Sequence, residues 1–348
     1  MEIMKRPILG ITMGDPAGNG PEITVKALSK SEIYKECRPL VIGDAKVMQK
    51  ATKIVKMENI KINPVTRVED AKFEHGTIDV YHLELIDMDN LVMGKISSMA
   101  GEAAFQCVKK VIELAMAGEI DGTVTNALNK EAINFAGHHY PGHTEIFAEF
   151  TGTQKYTMML AYKDLRVVHV STHVSLREAC DDVKKQRVLD IIRIANQTCK
   201  NLGITEPKVG VAGLNPHSSE NGMFGTEEKD EIIPAIEEAK AEGITIDGPV
   251  SPDSIFPQAR GGWYDIVVCM YHDQGHIPLK LLGFVYDKRK GGWDTVEGVN
   301  VTLGLPIIRT SVDHGTGFDH AGDGSANELS LVNAIEYAIA LSKYSVKK

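Results

Sequence analysis

The chain has 348 residues, 43% hydrophobic and 24% charged, enough to bury the cores of two domains. Its formal net charge of −9, with no basic run, argues against a nucleic-acid surface, which needs clustered Lys and Arg to neutralise phosphates. No apolar run approaches a membrane span, MEIMKRPILGITMGD lacks a signal-peptide pattern, and the five cysteines are odd in number with no CxxC pair, so a cytoplasmic protein without disulfides or thiolate zinc is expected.

In chain order, the β-rich runs are PILGITM (7–13), RPLVIGD (38–44), TIDVYHL (77–83), GTVTN (122–126), RVVHVST (166–172), KVGVAG (208–213) and DIVVCM (265–270). Segments of helical period lie at 100–118, 186–203 and 226–243, the first and last closing on Gly. A last helix is predicted at 326–343, packing on the N-terminal domain. The alternation predicts an α/β protein with mainly parallel sheets, whose ligands gather at the C-terminal ends of the strands. No repeat or low-complexity tract is present.

Polar residues concentrate at those ends. After the first strand comes GDPAGNGPE (14–22), a Gly-rich turn with Pro21 suited to a first helical position; its amides could face an anion or simply make a tight turn. Neither GxGxxG nor GxxxxGK[ST] occurs, so there is no dinucleotide fingerprint and no P-loop. PGHTE (141–145) sets His143 and Thr144 at a helix start, with Thr144 able to cap. Further strands are followed by His173, by Asn215 and His217 in LNPHSSENG, and by His272 and Asp273. One such histidine is ordinarily a polar edge residue. Three in the same topological position suit an open divalent-metal site, Zn²⁺ or a similar ion. His276 could share a helical face with His272 only if Gly275 stays helical, and it is not expected to be a ligand. HExxH and GxSxG are absent, and no cysteine adjoins a strand-end histidine. Lys130 and Lys280 lie near these loops, and Arg309 follows an apolar run and precedes a Gly-rich turn, where a guanidinium can grip a phosphate or carboxylate.

GDPAGNGPE, PGHTE, STHVSLR, LNPHSSENG, GPVSPDSIF, MYHDQGHIPLK and VNVTLGLPIIRTSVDHGTGFDHAG, in that order over almost the whole chain, resemble the 4-hydroxythreonine-4-phosphate dehydrogenase (PdxA) family. The resemblance implies an isocitrate/isopropylmalate dehydrogenase-like fold of two α/β/α domains with a cleft between them. Residues 1–130 and 305–348 are expected to form the first domain and 131–304 the second. It implies a homodimer whose sites use both subunits, and a divalent metal (Zn, Mg, Mn or Co) held by His173, His217 and His272. Substrate contacts carry over to His143, Thr144, Lys280, Asn300 and Arg309.

The implied reaction is NAD(P)-dependent oxidation of a C3 hydroxyl in a 4-phosphorylated four-carbon acid, followed by loss of CO₂. Lys280 and Asp253 are the candidates for proton handling, although Ser-Pro-Asp equally reads as a turn or helix cap. NAD is expected, with NADP open. VYDKRKGGWDTVEG (285–298), the TNALNK loop and the FDHAGDGSANE ending differ from the vitamin B6 enzyme. They look more like the branch acting on 4-phospho-D-threonate or 4-phospho-D-erythronate, which yields dihydroxyacetone phosphate. Alternatively, residues 285–298 form a surface hairpin. The B6-pathway enzyme, a phosphate acyltransferase relative and a noncatalytic sensor of phosphorylated acids are the alternative readings.

Overall fold

The protein is described by a computed structural model over residues 6–289 and 292–344, with side chains at 292–295 left aside. It divides into two compact units, one running to Gln154 and resuming over Leu305–Lys343, the other spanning Lys155–Gly304. The first unit carries β1 (Ile8–Thr12), α1 (Gly20–Leu28), α2 (Ser31–Glu36), β2 (Arg38–Gly43), α3 (Ala45–Ile54), β3 (Lys61–Val65), β4 (Thr77–His82), α4 (Ser98–Met116), β5 (Gly122–Thr125), α5 (Lys130–Phe135) and α6 (His143–Thr151). The second carries β6 (Thr157–Tyr162), β7 (Leu165–His169), α7 (Leu176–Asp182), α8 (Lys185–Asn201), β8 (Lys208–Ala212), α9 (Ile233–Ala241), β9 (Thr245–Val250), α10 (Pro252–Arg260), β10 (Ile266–Cys269), α11 (His272–Gly283), β11 (Phe284–Asp287), β12 (Gly292–Val296) and β13 (Val299–Leu303). The chain then re-enters the first unit through β14 (Arg309–Val312) and α12 (Leu329–Tyr344). No helix among the described residues is long and apolar enough to cross a membrane.

The first unit orders its strands β3-β4-β2-β1-β5-β14, all parallel. β5 and β14 are buried throughout, as are β1 and β2 apart from their first residues. A strand apolar on both faces must be covered on both, which the βα connections achieve. In the second unit the order is β13-β6-β7-β10-β8-β9. There β7, β10, β8 and β9 run parallel and β6 is antiparallel to both neighbours. The parallel set β7-β10-β8 therefore points three consecutive C-terminal ends the same way.

All seven predicted strands form. β3 was not legible because Pro64 interrupts KINPV, which an edge strand tolerates. The predicted helix at 226–243 begins instead with a π-helical turn, Glu228–Ile232, and becomes α-helical at Ile233, beside Pro234. The boundary expected at 130 falls after Gln154, because α5 and α6 both pack on α4. Residues 345–348 and 1–5 of the expected first domain lie outside the described residues. Within 285–298, β11 and β12 pair as an antiparallel hairpin, with 290 and 291 outside the described residues.

The α4–α5 contact depends on a missing side chain: a Cβ at Gly101 would lie 2.0 Å from the Ala132 carbonyl oxygen, with backbone on both sides. Gly101→Ala is expected to lower unfolding free energy by about 1–3 kcal/mol, the cost of overpacking, rather than give the usual helix gain of Gly→Ala. Urea denaturation of the two proteins checks the sign.

Candidate active site

In the second unit, the chain leaving β7 stays beside β10: Val170 N–H donates to Cys269 O at 2.8 Å, and Ser171 Oγ donates to Met270 O at 3.0 Å. His173 and His272 thus emerge together, their ring centroids 5.8 Å apart. His272 Nδ1 lies 2.6 Å from Asp273 Oδ1. A carboxylate oxygen accepts, so Nδ1 donates, and in the neutral ring this leaves the lone pair on Nε2, the tautomer a metal ligand requires. Gln274 joins neighbouring strand ends, accepting from Met270 N–H (2.7 Å) and donating to Gly213 O (2.8 Å).

His217 is exposed and sits on Pro216–Gly222, where His217 through Asn221 all take left-handed backbone angles, φ 46 to 66°. At about 1–2 kcal/mol per L-residue such a run stores on the order of 5–10 kcal/mol. Among the described residues no three His, Cys, Asp or Glu side chains are gathered into a metal cage. The expected trio is therefore not preassembled: His173 and His272 meet, while His217 rides on a strained turn. The donor set itself fits a divalent ion. Two imidazoles bound to one ion at about 2 Å place their ring centres roughly 5–6 Å apart, which the 5.8 Å separation satisfies.

Gly275 is helical within α11, so His272 and His276 do share a face and stack at 3.6 Å and 13°. His276 is buried and donates through Nδ1 to His272 O at 2.9 Å. Buried His169 sits 4.7 Å from the His276 ring. Burial pushes both imidazoles well below the usual range, His169 to about 4, so both are neutral. Lys280 lies two turns further along α11, its Nζ 5.0 Å from the Phe284 ring centre. Exposed Asp253 occupies the first turn of α10, after Pro252, and its Oδ1 accepts from Ser251 Oγ at 2.7 Å. Asn300 on β13 keeps a buried Oδ1 without a hydrogen-bond partner among the described residues.

The remaining predicted residues belong to the first unit. Arg309 begins β14, is buried, donates from Nη2 to Thr125 Oγ1 at 2.9 Å, and lies 5.6 Å from the Phe147 ring centre. Burial pulls its pKa down to about 9 and Glu145 opposes this, leaving a cation at neutral pH. His143, first residue of α6, is held neutral by burial and by the Arg309 charge. Its Nε2 is buried without a partner among the described residues. Thr144 lies inside the first turn and is not the cap expected of it; Gly142 occupies that position with no side-chain bond. Gly142, having no side chain, contributes no cap of its own to α6.

A second group of buried polar atoms went unrecognised in the sequence. Asp15 Oδ2, Asn19 Oδ1, Asn126 Oδ1 and His314 Nε2 are buried without partners among the described residues. Asp15 N–H donates to Ala127 O, and Asn19 N–H donates to Thr316 O, tying the first βα turn to the loops after β5 and β14. Glu22 of α1 accepts from Gly322 N–H (2.6 Å) and Gly324 N–H (2.9 Å), and Lys26 donates to Gly324 O and Ala326 O, both at 2.6 Å. Orphan acceptors beside a Gly-rich loop fit the hydroxyls and amide of a nucleotide. These are the candidate cofactor contacts.

The family model described as "Pyridoxal phosphate biosynthetic protein PdxA" matches residues 35–338. A protein of Oceanobacillus iheyensis named "Putative D-threonate 4-phosphate dehydrogenase" is 47% identical over 97% of this chain and 98% of its own length. The 4-hydroxythreonine-4-phosphate dehydrogenase structure from Burkholderia phymatum superposes with TM-score 0.84 at 45% identity, covering 97% of this chain and 98% of that one. The corresponding enzyme from Klebsiella pneumoniae gives TM-score 0.85 at 39% identity, covering 97% and 99%. The protein is an α/β oxidoreductase, a dehydrogenase of the isocitrate/isopropylmalate dehydrogenase-like fold class. Within that class, the chain belongs to the PdxA family.

Burial pushes the Asp15 carboxyl up to about 6. Since the folded value lies above the unfolded one, the native state binds the extra proton, and stability present below about pH 4 is lost as pH rises through about 6. Asp15→Asn keeps an oxygen for the Ala17 N–H bond. It is expected to match the parent near pH 4 and exceed it by about 1–3 kcal/mol above pH 7. A difference independent of pH in denaturant titrations would contradict this.

Proposed function

We propose that the protein oxidises and decarboxylates a 4-phosphorylated 3-hydroxy acid, 4-phospho-D-threonate or 4-phospho-D-erythronate, with NAD as hydride acceptor and NADP as the alternative. The observation that carries an anionic substrate is Arg309, a buried cation beside neutral His143 at the start of α6. A guanidinium there offers the planar fork that suits a phosphate or carboxylate. The name of the Oceanobacillus relative, which mentions D-threonate 4-phosphate, supports the first of these acids. The names of the Burkholderia and Klebsiella structures favour the second reading, oxidation of 4-phosphohydroxythreonine, which carries an amine in place of the C2 hydroxyl.

In this reading Arg309, with Thr144 and the first amides of α6, holds an anionic group of the substrate, and neutral His143 and Asn300 orient hydroxyls. The O3 proton leaves as hydride passes from C3 to the nicotinamide. The resulting 3-oxo acid breaks its C1–C2 bond, CO₂ departs, and the electron pair forms an enediolate that takes a proton at C2 to give dihydroxyacetone phosphate. Lys280 is the proposed proton carrier for these transfers, with Asp253 the weaker candidate because it is exposed. A divalent cation held by His173, His217 and His272 would supply Lewis acidity to the hydroxyl and to the carbonyl it becomes. We also propose a cytoplasmic homodimer with sites drawing on both copies. Its support is an exposed apolar face formed by Ile277 and Leu281 of α11 with Val285 and Tyr286 of the hairpin.

The purified protein is expected to form NADH from 4-phosphothreonate or 4-phosphoerythronate in a chelator-sensitive reaction. Turnover of 4-phosphohydroxythreonine with neither sugar acid accepted would overturn the choice, and binding without reduction of either nicotinamide would indicate a sensor. Arg309→Lys preserves charge but not the planar fork, and kcat/KM should fall roughly 10–100-fold. Sedimentation showing a fully active monomer would refute the shared sites.

A further inference from the structure

The left-handed run from His217 to Asn221 carries four residues with a Cβ besides His217 itself, and L-residues avoid this region because Cβ crowds the following carbonyl oxygen. Such a run persists only where its surroundings impose it. The surroundings here centre on Glu228, a buried carboxylate that opens the π-helical turn before α9. Its Oε1 accepts from Leu214 N–H (2.8 Å) and Asn215 N–H (2.7 Å), and its Oε2 accepts from Asn215 Nδ2 (2.9 Å). Asn215 O in turn accepts from Ser218 N–H at 3.1 Å, the first bond inside the turn. Two glycines let these parts approach: a Cβ at Gly213 would lie 2.7 Å from Ser218 Oγ, and one at Gly225 2.6 Å from Asn215 Nδ2. The entry to the turn is therefore fixed from outside it, whereas its exposed residues contribute little restraint.

We propose that Glu228 is a positioning residue: by holding Leu214 and Asn215 it keeps residues 217–221 left-handed and so presents His217 to a divalent cation. The proposal rests on the reading of His217 as a metal ligand. A chain that relaxes toward ordinary backbone angles carries the imbalance to His217 first, so cation affinity and turn conformation are linked, and each must bias the other to the same extent. Gln274, bonded to Gly213 O, fixes the start of the same loop relative to His272. His217 is thus the one member of the trio whose placement depends on turn handedness.

Glu228→Gln preserves volume but turns an NH₂ group toward backbone or side-chain N–H donors. Two readouts apply: amide hydrogen exchange over 214–225 without metal, and Zn²⁺ affinity measured by competition with a chromogenic chelator, with His217→Ala defining the site. Exchange over 214–225 is expected to accelerate at least tenfold while β10 is unchanged, and the Zn²⁺ Kd to rise at least tenfold. Glu220→Gly, at an exposed position with φ 46°, removes a Cβ penalty and should recover most of both losses in the Glu228→Gln background. A purely structural carboxylate would not be rescued that way. Should Glu228→Gln fail to fold, Glu220→Gly alone must slow exchange and tighten Zn²⁺ binding. Unchanged exchange in Glu228→Gln, or no rescue by Glu220→Gly, overturns the proposal. If the parent binds Zn²⁺ and Glu228→Gln binds it equally, the positioning role fails while the metal reading survives. If the parent shows no Zn²⁺ binding dependent on His217, the metal reading fails, and the presentation of His217 fails with it.

Discussion

Parallel strands end in backbone amides and carbonyls that no further strand pairs, and here buried side-chain amides and carboxylates take up many of them. Gln274 spends both ends of its amide on Met270 N–H and Gly213 O. Asn126 Nδ2 donates to Thr12 O and Thr24 Oγ1. Asp44 caps α3 through Lys46 N–H and accepts from Leu85 N–H and Ile86 N–H with its other oxygen. Each group would be costly if left alone in a buried place, and each becomes a staple once its partners are supplied. Glu228 extends the device to a loop that precedes it, and Glu22 to one that returns from far along the chain. The polar loops at the strand ends are held by these bonds, and a site built on them inherits their precision.

The imidazoles of the second unit illustrate how little freedom remains. Carbonyl partners fix the proton of His276 and His169 on Nδ1, since a carbonyl can only accept. Neutral His276 then offers a flat apolar face to His272, whose own Nδ1 proton is claimed by Asp273. Glycine is needed at 275 because a Cβ would stand 2.6 Å from His169 Nε2. A glycine inside a helix costs roughly 1 kcal/mol against alanine, and here close approach of α11 to β7 offsets it. Protonating His276 would place a buried charge against the His272 ring.

Much of this was legible in the amino-acid order, and the failures have causes. Continuous apolar runs such as DIVVCM and RVVHVST mark strands buried on both faces, and the histidines beyond them do emerge from neighbouring parallel strands. Gln274, Glu228 and Glu22 were invisible, because a staple is defined by the backbone it reaches, often far away in sequence. Asp15 read as part of a Gly-rich turn and Asn126 as the end of a strand; only burial reveals their unpartnered oxygens. Thr144 was misread by two positions, since the extended backbone at Gly142, rather than a hydroxyl, starts α6. The left-handed turn carries no glycine between His217 and Asn221, so nothing in LNPHSSENG announced it.

Charge bears on how an anion could be held. The chain carries 47 acidic against 38 basic residues, so long-range steering repels an anionic substrate and recognition must be local. The first unit holds a buried guanidinium, Arg309, backed by Thr125 and the Phe147 face. Arg309 in turn suppresses protonation of His143, so the cation is concentrated on a single group of fixed geometry. The second unit holds His169 and His276 neutral by burial, so neither attracts an anion. A buried charge is screened least, so anion binding at Arg309, in the proposed reading, would depend on salt less steeply than binding to a surface cluster of lysines.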